Sequence, residues 1–332
     1  MSPDFSVVLA TRDRPVLFAE ALDSVLTQTH TSLEVIVVDD GSTEECAAAY
    51  KPIWDRAAGL LSSRFSLVTL VRRPRGHGQS YSLNVGVGAA RGRHVCFLDD
   101  DDKWTDRAHL ARAASVIEAA SLAGGKVDLY MANQGAWIDE HRPVGTLWLG
   151  MLEQELRQRG RAPDPLGTYR VDATDLMATA GFCHLNCLTV RRELYQQVGG
   201  MDEGVRWECD RDLMLKLVDE AQCMVFHPGV MSYHRVPDPT KTTNMTTTLG
   251  VLEKRLLQSI VLDRALIRAR HPAIRQHARQ HKVYAVERIA AEFATRGDWS
   301  SALFYAGQAF GARPSPGRAA LLLRCLMKRQ AS

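Results

Sequence analysis

The chain has 332 residues, of which 45% are hydrophobic and 24% are charged, and its formal net charge is +3. This size and balance are typical of a soluble globular protein with one large domain and an appendage, or with two domains. There is no run of 18 apolar residues, and the first residues carry neither a basic nor a long apolar segment. We therefore expect no transmembrane helix, no signal peptide and a cytoplasmic location.

The seven cysteines are irregularly spaced and fit reduced thiols better than a disulfide framework. Cys183, His184 and Cys187 stand at a spacing similar to half of a metal site. Because a second Cys/His pair at ligand spacing is missing, we interpret these three as core residues.

Charge is distributed unevenly along the chain. From Val251 onward there are 15 lysines and arginines against 5 acidic residues, a net charge of +10, so the preceding part carries −7. Solvated helical faces would explain the basic tail. The alternative is contact with an anionic partner, such as a membrane surface, a lipid-linked acceptor or another subunit.

The first hundred residues alternate between apolar runs and helical patterns such as 15–28. Four runs read as strands, at 5–10, 33–38, 66–71 and 94–98. Because these runs are continuously apolar, they predict an α/β fold with a mostly parallel, Rossmann-like sheet covered by helices on both faces. Ligands bind such sheets beyond the carboxyl ends of the strands.

Later segments extend this pattern. Further strands are predicted at 127–133 and 184–190, a helix at 207–218, and two short strands within 223–236. A polar stretch then precedes a region that is helical to the end. We therefore predict three parts: a sheet domain over 1–236, a linker over 237–250 and a basic helical region over 251–332.

Three of the first four strands end in residues capable of chemistry. The endings are Thr11-Arg12-Asp13, Asp39-Asp40-Gly41-Ser42 and Asp99-Asp100-Asp101-Asp102. Four adjacent carboxylates repel one another unless something compensates them, and compact carboxylate clusters suit Mg²⁺ or Mn²⁺. Alternatively, the four aspartates form a water-exposed acidic turn. The ending Asp39-Asp40-Gly41-Ser42 could instead be the N-cap of the helix that follows it.

Acidic residues also open the helix predicted at 207–218. Glu208, Asp210 and Asp212 lie in or near its first turn, where negative charge favours the helix dipole. The alternative interpretation is that these carboxylates take part in catalysis, and the neighbouring motifs favour this interpretation.

Together these segments resemble family 2 glycosyltransferases of the GT-A fold. The matching segments, in order along residues 4–236, are SVVLATRDRP, VVDDGS, FLDDDDKW, RRELYQQVGGMDE and WECDRDL. The resemblance implies a catalytic domain over 1–236 that transfers a sugar, with inversion, from a nucleoside-diphosphate sugar to an acceptor hydroxyl. UDP is the default nucleotide, and the acceptor is a saccharide, a lipid-linked molecule or a small molecule.

The resemblance also assigns roles to particular residues. It places the nucleotide and donor sugar against Ala10, Thr11, Asp13, Asp40, Asp99 and Asp100. It places Mn²⁺ or Mg²⁺ on Asp101, with Asp99 and His234 as further ligands. It places the leaving diphosphate against Arg235 and Lys241. It also implies that a loop at 240–244 closes over the donor.

Asp210 matches the expected general base in this resemblance. Cys209 stands where the family often has glutamate, and Glu208 precedes it, so both Glu208 and Asp210 stay open as the base. Peripheral contact with the inner membrane face through the basic tail and a homo-oligomer are further partner hypotheses. No nucleic-acid partner is expected.

Other functions explain fewer of these motifs. A dinucleotide oxidoreductase is excluded because Gly86, Gly88 and Gly92 do not form GxGxxG and precede a strand instead of following one. A metal phosphohydrolase would leave VVDDGS and the acidic helix unexplained. A sugar-nucleotide pyrophosphorylase, which should carry a glycine-rich basic loop, and a non-catalytic saccharide-binding or nucleotide-binding module stay as alternatives.

Overall fold

The computed structural model describes residues 2–138, 142–179, 182–236 and 249–330. Its residues form two compact units. The first contains residues up to 206 together with 213–236, and the second contains 207–212 together with the described residues after 248. The domain limits predicted from the sequence stay a prediction.

The first unit begins with the predicted alternation of strands and helices. Its elements are β1 Phe5–Thr11, α1 Pro15–Leu26, β2 Leu33–Asp39, α2 Glu44–Leu61, β3 Phe65–Thr69, α3 Gln79–Ala89 and β4 His94–Phe97. Every residue of β2 and β4 is buried, as the continuous apolar runs predict. Pro15 starts α1, where a missing backbone N–H costs nothing.

Shorter elements complete this unit. They are β5 Lys103–Trp104, α4 His109–Leu122, β6 Leu129–Trp137, β7 Pro143–Leu147, α5 Leu152–Gln158, β8 Tyr169–Val171, α6 Ala173–Met177, β9 Leu188–Arg191, α7 Arg192–Gln197, α8 Cys209–Glu220 and β10 Met224–Arg235. The first four residues of α8 group with the second unit.

The described strands form one sheet in the order β3-β2-β1-β4-β9-β6-β10-β5, with β7 beside β6 and β8 beside β10. The long pairings, β1 with β2 and β6 with β10, are parallel. Strand β9 runs antiparallel between β4 and β6. The predicted α/β class with a mostly parallel sheet is confirmed.

Two local predictions differ from the structure. The run predicted as a strand over 184–190 starts with a 3-10 turn, Leu185–Cys187, before β9. The segment predicted to hold two short strands forms the single strand β10, whose pairing with β6 shifts register between His227 and Ser232. An irregularity of this kind bends a strand without ending it.

The second unit is helical, as predicted. Its helices are α9 Val251–Arg268, α10 Pro272–Thr295, α11 Trp299–Ala312 and α12 Pro316–Gln330. The small side chains of Ala290, Ala302, Ala306 and Cys325 form a buried cluster among the last three helices. Most of the predicted linker, residues 237–248, lies outside the described residues. Within the described ranges, no helix has the length and apolarity needed to cross a bilayer.

A buried carboxylate ties the first strands together. Glu34 in β2 is 1% exposed and accepts hydrogen bonds from the Ser6 hydroxyl at 2.6 Å and the Arg91 backbone N–H at 2.6 Å. The Arg91 guanidinium donates to the same carboxylate at 2.7 Å. Burial raises the pKa of Glu34, but the hydrogen bonds from Ser6 and Arg91 outweigh burial and leave the pKa below its usual value.

We expect Glu34→Gln to lower the free energy of unfolding at pH 7 by about 2–4 kcal/mol, because Arg91 and Ser6 lose a charged acceptor inside the protein. Since the folded-state pKa is depressed, this stabilisation is present above about pH 4.5, the ordinary pKa of glutamate, and is lost as the pH falls below it. Urea unfolding at pH 7 and pH 4 measures both effects. Glu193→Gln removes a carboxylate that is 77% exposed and pairs with Arg191, so its effect should stay below about 0.5 kcal/mol. Equal effects of the two variants would contradict the prediction.

Candidate functional site

The carboxyl ends of β1, β2 and β4 lie at one edge of the sheet because these strands are parallel neighbours. The loops that follow them carry the polar residues singled out in the sequence. Asp100, in the loop after β4, and Thr11, the last residue of β1, are joined by a hydrogen bond of 2.8 Å from the Thr11 hydroxyl. The structure therefore brings the polar residues after β1 and those after β4 together, as predicted.

Asp100 and Asp101 share one arginine. The Nη1 atom of Arg14 lies 3.2 Å from Asp100 Oδ1 and 3.0 Å from Asp101 Oδ2. Behind Asp100, Thr11 Oγ1 also contacts the hydroxyl of the buried Tyr50 at 2.7 Å. Burial raises the pKa of Asp100, although Arg14 and Thr11 oppose the shift. Burial, together with the charges of Asp102 and Asp100, raises the pKa of Asp101 to about 7. One arginine therefore compensates this pair only in part.

Asp99 and Asp102 face different donors. The Gln79 side-chain amide donates to Asp99 Oδ1 at 2.8 Å, and His184 Nε2 lies 3.7 Å from Asp99 Oδ2. Asp102, which is 2% exposed, lies 2.9 Å from His234 Nδ1.

Backbone and amide groups complete these contacts. The Arg235 backbone N–H donates to Asp102 at 2.7 Å. Asn186 accepts from the Asp99 backbone N–H at 2.9 Å and donates its side-chain N–H to Asp102. Asn186 therefore connects the first and last of the four aspartates.

Asp99, Asp102 and His184 each offer a ligand atom to one small space. These three atoms lie within 4.8 Å of one another. Two carboxylates with one imidazole are a donor set that suits Mn²⁺ and, through the carboxylates, Mg²⁺. The residues fit a divalent cation.

This group differs from the ligands that the resemblance implied. Asp99 is common to both sets. Asp101 is directed at Arg14, and His234 contacts the Asp102 carboxylate through Nδ1. His184, interpreted from the sequence as a core residue, instead lies beside Asp99, so that interpretation was wrong for His184. It was right for Cys183 and Cys187, which are buried and whose thiol pKa values are raised by burial.

Asp13 joins the loops after β1 and β2. Its φ of 55° lies in the left-handed region, and its Oδ1 accepts from the Thr43 backbone N–H at 2.7 Å. Ser42 Oγ in turn accepts from the Asp13 backbone N–H at 3.0 Å. Burial raises the pKa of Asp13, but the hydrogen bond from Thr43 and the charge of Arg72 outweigh burial and lower it overall. Ala10 lies at the end of β1, opposite Val38.

Asp40 is surrounded by donors from one loop. Its carboxylate accepts the His77 backbone N–H at 2.8 Å and contacts His77 Nδ1 at 2.6 Å, and Gly78 N–H donates to it at 3.1 Å. Gly76 has a φ of +64°, and a Cβ there would lie 2.5 Å from Asp40 Oδ2 and 2.3 Å from Arg12 Nη1. Only glycine allows this close approach of the loop.

Arg235 and Lys241 are the two basic residues predicted to contact a leaving diphosphate, and the structure describes Arg235. The Arg235 guanidinium contacts Glu20 Oε2 at 3.1 Å, and its Nε donates to the Asp101 backbone carbonyl at 3.2 Å. Lys241 lies outside the described residues, as does the loop 240–244 predicted to close over a donor.

Glu208 and Asp210 belong to the second unit. The Glu208 carboxylate pairs with Arg211 and accepts from the Gln258 amide at 3.1 Å, and its backbone has a φ of 61°. Asp210 Oδ1 accepts the Arg211 backbone N–H at 2.8 Å. Glu208 is therefore held by two side chains, one of them cationic, whereas the hydrogen bond seen at Asp210 comes from a backbone group.

An aromatic cluster stands beside the carboxylates. The Trp148 and His184 rings stack at 4.8 Å, and His234 meets Trp148 edge-on at 5.4 Å. Phe182 packs its ring edge-on against Trp148 at 5.6 Å. The sequence assigned no role in this site to Trp148, Arg14, Gln79, Asn186 or Asp102. The one available signal was that Arg14 and Asp102 lie within the segments SVVLATRDRP and FLDDDDKW.

A family model described as Glycosyl transferase family 2 matches residues 6–198, which is more than half of the chain. The chain belongs to glycosyl transferase family 2. The matched stretch of this family 2 chain contains the aspartates of the acidic loop, Arg14 and His184, and it ends before Glu208 and Asp210.

Two curated relatives illustrate the similarity of this family 2 chain. The succinoglycan biosynthesis protein ExoW of Rhizobium meliloti (strain 1021) is 27% identical over 278 residues, covering 79% of this chain and 82% of ExoW. An uncharacterized glycosyltransferase of Nostoc sp. is 30% identical over 119 residues, covering 36% of this chain. That alignment spans only 34% of the Nostoc protein.

Solved structures show the fold of the family 2 chain. S. aureus TarS 1-349 in complex with UDP-GlcNAc aligns with a TM-score of 0.63 at 17% identity, covering 98% of this chain and 88% of TarS 1-349. The mannosyltransferase PcManGT of Pyrobaculum calidifontis, in complex with GDP-Man and Mn²⁺, aligns with a TM-score of 0.57 at 18% identity, covering 98% and 79%. The GT-A type of fold expected from the sequence is confirmed.

Proposed function

We propose that this protein is an inverting glycosyltransferase that moves a sugar from a nucleoside-diphosphate sugar to an acceptor hydroxyl. The observation that carries the proposal is the convergence of Asp99, Asp102 and His184 at the strand edge where ligands bind parallel sheets. Such a group suits a cation that grips a diphosphate. Membership of family 2 supports the same activity.

The donor is proposed to be a UDP-sugar. TarS in complex with UDP-GlcNAc supports UDP, and PcManGT in complex with GDP-Man keeps GDP as the alternative. We place the nucleotide against Ala10, Thr11, Asp13 and Asp40. An N–H group of the nucleobase that pairs with Asp40 would replace one of the contacts from His77. Asp100, held by Thr11 and Arg14, is fixed to meet a ribose or sugar hydroxyl.

Asp99, Asp102 and His184 are proposed to hold Mn²⁺ or Mg²⁺, with Asp101 and His234 close to them. When bound, the cation would supply Lewis-acid stabilisation of the departing diphosphate. Ligation through His184 Nε2 requires the ring proton on Nδ1. The 3.4 Å contact from the Asn186 backbone N–H to Nδ1 must then give way. Arg235 and Lys241 are proposed to add positive charge at the leaving group.

Asp210 is proposed as the general base. An acceptor hydroxyl attacks the anomeric carbon more readily when a positioned carboxylate removes its proton. Glu208 is the weaker candidate because Arg211 and Gln258 already engage its carboxylate. Attack on the face opposite the diphosphate inverts the anomeric centre, and the sugar acquires oxocarbenium character as it transfers.

The outward face of α12 supports peripheral contact with an anionic membrane. Leu323 and Met327, one helical turn apart, are 58% and 66% exposed, and Arg324 and Lys328 flank them. Apolar side chains bordered by basic ones are typical of helices that lie in the membrane interface. A second copy fits this face less well, because each copy would bring the +10 charge of its tail.

Asn substitutions test the cation ligands. Asp99→Asn and Asp102→Asn should each weaken Mn²⁺-dependent UDP binding by about 100-fold or more, since a charged ligand is lost. Titration calorimetry with UDP, with and without Mn²⁺, measures this. Asp101→Asn is the matched variant within the same loop and should weaken binding less than either. If Asp101→Asn were the most damaging of the three, the metal carboxylate would be Asp101. If the wild type bound UDP equally well with and without Mn²⁺, the proposed metal site would be refuted.

Asp210→Asn tests the base. We expect turnover of a UDP-sugar to fall by about 10²–10⁴-fold while UDP binding stays within twofold, because only proton removal is lost. Glu208→Gln should reduce turnover far less. Radiolabelled sugar transfer and calorimetry on the same samples separate catalysis from binding. A larger loss of turnover for Glu208→Gln would reverse the assignment.

Vesicle sedimentation tests the membrane contact. The double variant Leu323→Gln, Met327→Gln should bind vesicles of phosphatidylglycerol and phosphatidylcholine at least about tenfold more weakly, since two apolar side chains no longer insert. The control Leu122→Gln changes an 84% exposed leucine on α4 and should bind as the wild type does. If the wild type bound vesicles of pure phosphatidylcholine equally well, this contact would be refuted. It would also be refuted if the double variant lost oligomers while its vesicle binding stayed unchanged.

A further inference from the structure

Trp148 occupies a backbone conformation that a bulky residue rarely adopts. Its φ of 56° lies in the left-handed region, immediately after β7 ends at Leu147. A tryptophan there costs free energy that surrounding contacts must offset, and such strain concentrates at functional positions. The contacts of its ring indicate what the strained conformation achieves.

The indole lies against both histidines of the acidic edge. Its plane is within 17° of the His184 ring at 4.8 Å, whereas the His234 ring meets it at 63° and 5.4 Å. The two imidazoles are 5.3 Å apart. Phe182, packed edge-on at 80°, adds an aromatic contact to the same indole. Trp148 therefore restricts the tilt of both imidazoles at once.

Each of these histidines faces a different candidate ligand. His184 Nε2 lies 3.7 Å from Asp99 Oδ2, and His234 Nδ1 lies 2.9 Å from Asp102 Oδ2. A rotation of the His184 ring would break up the group that brings Asp99, Asp102 and His184 within 4.8 Å, and a rotation of the His234 ring would remove its contact with Asp102. Groups that orient ligands in this way commonly set metal affinity.

We propose that Trp148 is a positioning residue that holds His184 and His234 in the orientation needed to bind a divalent cation. This inference rests on the proposed function, since it concerns the same cation site. Trp148 acts through the flat face of its ring on His184 and not through a bond to the cation. A flat aromatic side chain should therefore replace it, and an aliphatic one of similar bulk should not.

The test measures Mn²⁺ binding to the full chain by calorimetry and by the electron paramagnetic resonance signal of unbound Mn²⁺, with and without UDP. We expect Trp148→Ala and Trp148→Leu to weaken Mn²⁺ binding by about 10- to 100-fold. Trp148→Phe, which restores a flat ring, should recover most of the affinity. Trp299→Ala removes a half-buried indole from the helical unit and should change affinity by less than about twofold.

A purely structural role predicts a different pattern. Trp148→Leu would then bind Mn²⁺ as the wild type does, provided it folds, and the positioning role would be overturned. Trp148→Leu and Trp148→Phe keep the comparison possible if Trp148→Ala fails to fold. The side-chain nitrogen resonances of His184 should shift in Trp148→Leu and not in Trp299→Ala.

The outcomes also separate this inference from the proposed function. Loss of Mn²⁺ binding in His184→Ala and Asp102→Asn but not in the Trp148 variants overturns the role of Trp148 alone. A wild-type protein that binds no Mn²⁺ even with UDP overturns the cation site, and the role of Trp148 with it.

Discussion

The site depends on holding four adjacent carboxylates at one sheet edge against their mutual repulsion, which is weakly screened where water is partly excluded. Their donors come from separate segments: Thr11, Arg14, Gln79, His184, Asn186 and His234. These segments meet only when the strands are in their final order, so the charges are compensated only in the folded protein. Compensation is incomplete, since burial and its acidic neighbours raise the pKa of Asp101 to about 7. A bound cation would relieve the repulsion that remains.

The antiparallel strand β9 makes this compensation possible. By lying between β4 and β6, it places the 3-10 turn Leu185–Cys187 beside the end of β4. Asn186 in that turn contacts Asp99 and Asp102, and its carbonyl accepts the Trp104 indole N–H at 2.8 Å. A purely parallel α/β sheet would offer the acidic loop only the neighbouring strand-end loops. The turn that leads into this strand supplies an amide and an imidazole from more than 80 residues further along the chain.

The sequence predicted the elements that local patterns determine. Continuous apolar runs located β1 to β4, and polar strand endings located the edge, because both signals lie within a few residues. The partners of each aspartate were not predictable, since they depend on the position of β9 and on contacts between residues distant in sequence. His184 shows the limit: its neighbours Cys183 and Cys187 are buried, but the turn directs His184 towards Asp99. Spacing alone could not distinguish the three.

Away from the acidic loop, carboxylates that already accept several hydrogen bonds limit what a ligand gains on binding. Asp40 already accepts from His77 and Gly78, and Glu208 is held by Arg211 and Gln258. A ligand donor that reaches such a carboxylate exchanges one hydrogen bond for another, so the net contribution to affinity is small. Exchange still discriminates, because a ligand lacking the donor would leave a partly buried acceptor unpaired. In the proposed role, Asp40 would therefore be better suited to selecting a nucleobase than to supplying affinity, and the affinity would come from charge at the acidic edge.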